Sequence, residues 1–170
     1  MIAPCFVDAN VLVYGRDVHD VRRREIATTL LDRLWVEQSG RTSVQALNEF
    51  YNAATRKLKQ PVPPEEAWAD VEMLFAWNPQ AVDAEVMNRA RSLEKRFRLS
   101  WWDALIVAAA QLQGCRILYS EDLQHGAMFD GLQVRNPFLD QVNELPPPDY
   151  AAEARRSAPH RPRGRPRKLA

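Results

Sequence analysis

The chain is predicted to fold as a three-layer α/β/α domain of Rossmann-like type around a central parallel sheet. Two observations carry this expectation. Short apolar runs alternate with helical repeats between residues 1 and 145, the pattern of strands buried on both faces by helices. Two of those runs are followed at once by acidic residues, at the strand ends where ligands bind in open α/β sheets.

Cys5 to Val7 is an apolar run closed by Asp8, consistent with a buried strand. Val21 to Gln38 is helical, with Ile26, Leu30, Leu31 and Leu34 on one stripe and Gly40 as its stop. Leu47, Tyr51, Ala54 and Leu58 recur at helical spacing, which makes Val44 to Lys59 a second amphipathic helix. Glu65 to Trp77 and Asp83 to Arg98 make two more. Ala104 to Gln113 is almost wholly apolar and suits a helix packed on a sheet; Asp103 falls in its first turn. Arg116 to Tyr119 and Leu132 to Val134 supply the remaining strands.

A chain of 170 residues with 46% hydrophobic residues is long enough to bury one core. No apolar run approaches the ~18 residues that a membrane span needs, and the N-terminus has no basic, cleavable leader, so a cytoplasmic protein is expected. Cys5 and Cys115 are the only cysteines, and both lie in apolar runs, which argues for buried hydrophobes over a disulfide framework or a zinc site. The net charge of +1 hides an asymmetry: the seven cations of residues 151–170 against Glu153 leave that segment at +6 and residues 1–150 at −5. The Pro-, Arg- and Ala-rich stretch opening at Pro146 has too little apolar surface to offset its ordering entropy. Residues 1–145 are therefore expected to form the domain, and 146–170 a disordered basic tail.

Asp8 and Asp122, three residues beyond Tyr119, open into one crevice if their strands are neighbours; Asp103 and Glu49 come from separate helices and can converge on it. Four clustered carboxylates repel one another. A hard, oxygen-seeking cation such as Mg²⁺ or Mn²⁺ relieves that conflict, and the chemistry it suits is phosphodiester cleavage. Taken singly, each acid has a plainer reading. Ser100 with Asp103 forms a capping-box pattern, Glu49 can be a solvated helix residue, and Asp122 can be a turn residue. Asp8 resists such a reading, because a carboxylate closing an apolar run needs a partner.

Five stretches carry a resemblance: Phe6 to Tyr14 (FVDANVLVY), Thr42 to Tyr51 (TSVQALNEFY), Leu99 to Ala109 (LSWWDALIVAA), Ile117 to Leu123 (ILYSEDL) and Gly131 to Phe138 (GLQVRNPF). In this order, over about residues 3–140, the chain resembles the PIN-domain ribonucleases, and among them the VapC-like toxins of VapBC toxin–antitoxin systems. The resemblance implies that Asp8, Glu49, Asp103 and Asp122 hold Mg²⁺ or Mn²⁺ for hydrolysis of RNA. It also implies that Ser120 takes the place of the family's hydroxyl residue and that Asn10 orients the ligands, beside its reading as a cap or turn residue. A cognate antitoxin and a homodimer are implied in the same way. Glu121 is expected to point away from the site, and His125 to be a solvated loop residue.

Arg161, Arg163, Arg165, Arg167 and Lys168, interleaved with prolines around Gly164, resemble an AT-hook, which reads the minor groove of A·T-rich DNA. A generic basic arm for RNA or phosphates and a solubilising extension stand beside that reading, and the tail departs from the family's pattern. Two rivals remain for the whole chain. An Asp-nucleophile phosphotransfer domain wants an acid where Asn10 stands and a lysine near Ile117 to Ser120, where none occurs. A nucleic-acid-binding module would keep the acids for folding and work through its tail.

Overall fold

In a computed structural model the described residues are 2–139, and they form a five-stranded sheet flanked by helices. In chain order the elements are β1 (Cys5–Val7), α1 (Ala9–Tyr14), α2 (Val21–Val36), β2 (Gly40–Arg41), α3 (Val44–Arg56) and α4 (Pro64–Leu74). A 3₁₀ turn (Phe75–Trp77), α5 (Ala84–Phe97), α6 (Trp101–Leu112), β3 (Ile117–Tyr119), β4 (Met128–Phe129) and β5 (Leu132–Arg135) follow. The strand order is β2-β1-β3-β5-β4. The first four run parallel, and β4 pairs antiparallel with β5. The sheet is thus mixed at one edge, because only two residues, Asp130 and Gly131, join β4 to β5, and both have positive φ (48° and 91°) that suits a tight hairpin.

Sequence chemistry sets the helix starts. Asp20, Ser43, Asp83 and Ser100 each accept a hydrogen bond from a backbone N–H in the first turn of α2, α3, α5 and α6. Pro64 opens α4, where its missing N–H is harmless, with Glu65 and Glu66 beside the positive end of the helix. The helix α2 ends at Val36, and Gln38, not a glycine, takes the left-handed turn after it (φ 54°).

Gly40 therefore does not stop α2. It sits in the short edge strand β2, and its lack of a side chain lets the indole of Trp77 lie directly on the backbone. A Cβ there would fall inside the ring, and Trp77 is itself held against Trp35 with centroids 5.1 Å apart. Two further elements were not anticipated from periodicity. The helix α1 is too short, at six residues, to show a repeat, and β4 is only two residues long.

The core runs along both sides of the sheet. Phe6, Val7, Leu118 and Val134 from the strands pack with Leu34, Phe50, Ile106 and Val107 from the helices, all at or near zero exposure. Every residue from Ala104 to Ala110 is buried, as the unbroken apolar run implies. Cys5 and Cys115 are buried and free, and burial pushes the Cys115 thiol up to about 12. No helix of the described residues is long and apolar enough to cross a membrane. Residues 140–170, and with them the domain boundary at 145 and the basic segment 161–168, lie outside the described residues.

Replacing Gly40 by Ala forces the Trp77 indole off the backbone in a packed core. Gly40→Ala should cost about 1–3 kcal/mol of stability, read from urea unfolding; a change within experimental error would show that the indole has room to shift.

Candidate active site

Parallel pairing of β1 with β3 aligns Val7 with Tyr119, so both strands end together and the chain turns into the crevice at Asp8 and Ser120. The backbone seals this alignment: Asp8 N–H donates to Tyr119 O at 3.0 Å, and Ser120 N–H donates to Arg135 O at 3.0 Å on the neighbouring strand β5. The chain leaves β1 toward β2 on one side and returns at β3 on the other, so the crevice lies at a topological switch point.

Asp8 is wholly buried, yet each of its oxygens is engaged. Oδ1 accepts from Ala9 N–H at 2.8 Å and caps α1; Oδ2 accepts from the Ser120 hydroxyl at 2.8 Å and from Asn10 Nδ2 at 3.3 Å. The same Asn10 nitrogen reaches Asp122 Oδ2 at 3.1 Å and Ser120 Oγ at 3.3 Å, while Asn10 Oδ1 accepts from Glu121 N–H at 3.1 Å. Ser120 Oγ also accepts from Asp122 N–H at 3.2 Å. One amide and one hydroxyl thus hold two carboxylates from strand ends 112 positions apart within reach of a single nitrogen.

The other two acids are held by separate partners. Asp103, also wholly buried, meets Ser100 twice: its N–H donates to Ser100 Oγ at 3.1 Å, and the hydroxyl donates to its Oδ2 at 2.7 Å. The capping interaction and the buried carboxylate are one arrangement, because the same serine that starts the helix orients the acid. Glu49, half-buried on α3, accepts from Gln45 Nε2 at 3.0 Å, and that nitrogen also reaches Trp102 O at 3.2 Å. Gln45 was not singled out from the sequence. Its signal was available in hindsight, as a polar side chain one helical turn before Glu49 on the buried face of α3.

An open cleft of about 690 Å³ is lined by Asn10, Tyr14, Glu49, Lys57, Trp102 and Asp122 among others. Ala9 and Trp102, the chain neighbours of Asp8 and Asp103, also line it. The donor set is all oxygen, with carboxylates only, which fits Mg²⁺ or Mn²⁺ in place of zinc. Among the described residues, however, no three acidic, His or Cys side chains gather closely enough to share one ion. The donors match such an ion in chemical kind.

Neighbouring residues sort themselves by their partners. Glu121 lines the cleft but is drawn to Arg23 at 3.2 Å. It also faces the Tyr14 phenol, which burial first and the hydrogen bond to Glu121 second push up to about 12. His125 Nδ1 accepts from Asn136 N–H at 3.0 Å, so this imidazole ties the loop to the end of β5.

A family model described as PIN domain matches residues 5–128. The chain belongs to the PIN domain family. No curated protein matches it in sequence. Two solved structures share the PIN fold. One is a toxin–antitoxin complex from Klebsiella pneumoniae (21% identity, TM-score 0.56, covering 78% of this chain and 97% of the other). The other is VapC20 of Mycobacterium tuberculosis, described as a sarcin–ricin loop cleaving toxin (21% identity, TM-score 0.52, covering 69% and 89%). At this identity the likeness is one of fold.

The Ser120 hydroxyl bonds a fully buried carboxylate, and such bonds to charged groups contribute about 1.5–3 kcal/mol. Ser120→Ala should lower unfolding stability by that amount with the fold retained, as read by chemical denaturation. A loss below about 0.5 kcal/mol would show that Asp8 is satisfied without it.

Proposed function

We propose that this PIN domain is a Mg²⁺- or Mn²⁺-dependent endoribonuclease, the toxin of a type II toxin–antitoxin pair, working in the cytoplasm as a homodimer and restrained by a cognate antitoxin. The observation that supports it most is the pairing of buried Asp8 with Asp122 through Asn10 and Ser120 at the switch point, beside a cleft that Asp122 and Glu49 both line. Folding alone gives little reason to retain a wholly buried carboxylate at a strand end when an apolar residue of similar size costs less.

In this reading Asp8, Glu49, Asp103 and Asp122 hold the cation. A bound divalent ion would supply activated water and would offset charge on the departing oxygen. Asn10 and Ser120 tie Asp8 to Asp122, Gln45 positions Glu49, and Ser100 orients Asp103. Hydrolysis forms a bond from water oxygen to phosphorus, breaks the ester bond, and leaves the departing oxygen to take up a proton.

Incubation with RNA in Mg²⁺ or Mn²⁺, against a chelator control, tests the reading. Asp8→Asn, Asp103→Asn and Asp122→Asn should each lower cleavage by on the order of 100-fold or more while circular dichroism stays unchanged. Cleavage at the wild-type rate would remove that residue from the ligand set. A chain that binds RNA without cleaving it would favour the binding-module reading. Expressed alone, the wild-type chain should arrest growth and the Asp8→Asn form should not; harmless expression of an enzyme active in vitro would mark a housekeeping nuclease.

The basic segment, outside the described residues, is proposed to add nucleic-acid affinity. Deleting 151–170 should weaken RNA binding and flatten its salt dependence, because fewer counterions are released, with little change in cleavage at saturating RNA. Preference for A·T-rich over G·C-rich duplex DNA, erased by Arg165→Ala, would identify the AT-hook; equal binding would leave a generic basic arm.

A further inference from the structure

The cleft holds one side chain that carboxylate chemistry does not use. Trp102 is 59% exposed, the most exposed of the five tryptophans. Trp101 beside it packs on the core, Trp35 and Trp77 pack on each other, and Trp68 meets Tyr51 and Phe75 edge-on. Among the described residues no ring contact covers Trp102. Its backbone is nonetheless pinned: Gln45 Nε2 donates to Trp102 O and to Glu49 Oε1, so the indole is rooted in the turn that sets Glu49 and Asp103.

The cleft's charge restricts what such a ring can do. Asp17, Glu49, Glu121 and Asp122 line it against Lys57 alone. A phosphate backbone gains little by Coulomb attraction to that wall. Stacking of a base on an aromatic ring is indifferent to net charge, and every base has a face to offer. Bases inside a duplex are already stacked on one another, so only an unpaired nucleotide can take the place. The volume of about 690 Å³ falls within the range of ligand-sized clefts. A protein partner would also cover an exposed indole, but this one opens into the cleft beside Glu49 and Asp122 and not onto a separate face.

We propose that Trp102 is a stacking platform for one unpaired base next to the phosphate to be cut. The proposal rests on the nuclease reading above. It is tested by binding in the full-length Asp8→Asn chain, with unmodified and singly abasic oligoribonucleotides and with a duplex of the same sequence. Single strands should bind more tightly than the duplex. Trp102→Ala should weaken single-strand binding between about five- and a hundred-fold, and Trp102→Phe should keep most of it. One abasic position should weaken the parent by a similar factor and the Trp102→Ala form by less than about two-fold, a coupling that a merely structural role would not produce.

Equal loss from that abasic position in both forms, unchanged affinity in Trp102→Ala, absence of RNA binding, or equal affinity for duplex would overturn the proposal. A change of oligomeric state in Trp102→Ala without RNA coupling would overturn it in favour of a protein interface. Cleavage by the wild-type chain without coupling sinks the platform alone, whereas coupling without cleavage sinks the nuclease reading and leaves a single-strand binding site.

Discussion

The arrangement depends on burying a negative charge at the end of the central strand. Removing a carboxylate from water costs several kcal/mol unless it is hydrogen-bonded on all sides. Asp8 meets that requirement with donors from three sources: the first amide of α1, the nearby Asn10 side chain, and the Ser120 hydroxyl just beyond β3. The last of these is in place only when β1 and β3 end at the same level. The register Val7 to Tyr119 is therefore tied to the site as firmly as to the core. Slipping by one residue would carry the Ser120 hydroxyl away from the carboxylate.

That requirement orders the surroundings. Asn10 has one amide for two carboxylates and a serine, so Asp122 is held because Asp8 is held. Elsewhere in the site Gln45 holds Glu49, and Ser100 holds Asp103. The apolar helix α6 contributes rigidity, since Ala104 to Ala110 are buried and fix the turn that carries both Asp103 and Trp102.

The acidic pattern in the sequence and the family membership bear on different questions. Residues 5–128 match the PIN domain model, which includes all four acids but leaves the basic segment untouched. The acidic body and the basic tail are thus separate in sequence and opposite in charge.

By itself the sequence determined most of the elements. Apolar runs and helical stripes marked β1, β3, β5 and the long helices, and Ser100 marked a helix start, because capping and periodicity are local and act within a turn or two. The four acids stand on or beside these elements, Asp8 and Asp122 after strands and Glu49 and Asp103 within helices. Tertiary structure decided what depends on distant neighbours. The role of Gly40 follows from Trp77, 37 positions on, and not from the end of α2. Only contacts across the fold showed that Gln45 also reaches Trp102 O, that Asn10 bridges two carboxylates, and that Trp102 is exposed while Trp101 packs on the core. Two adjacent tryptophans are identical to any local rule, and which of them meets the core is settled by the angle at which α6 packs on its neighbours.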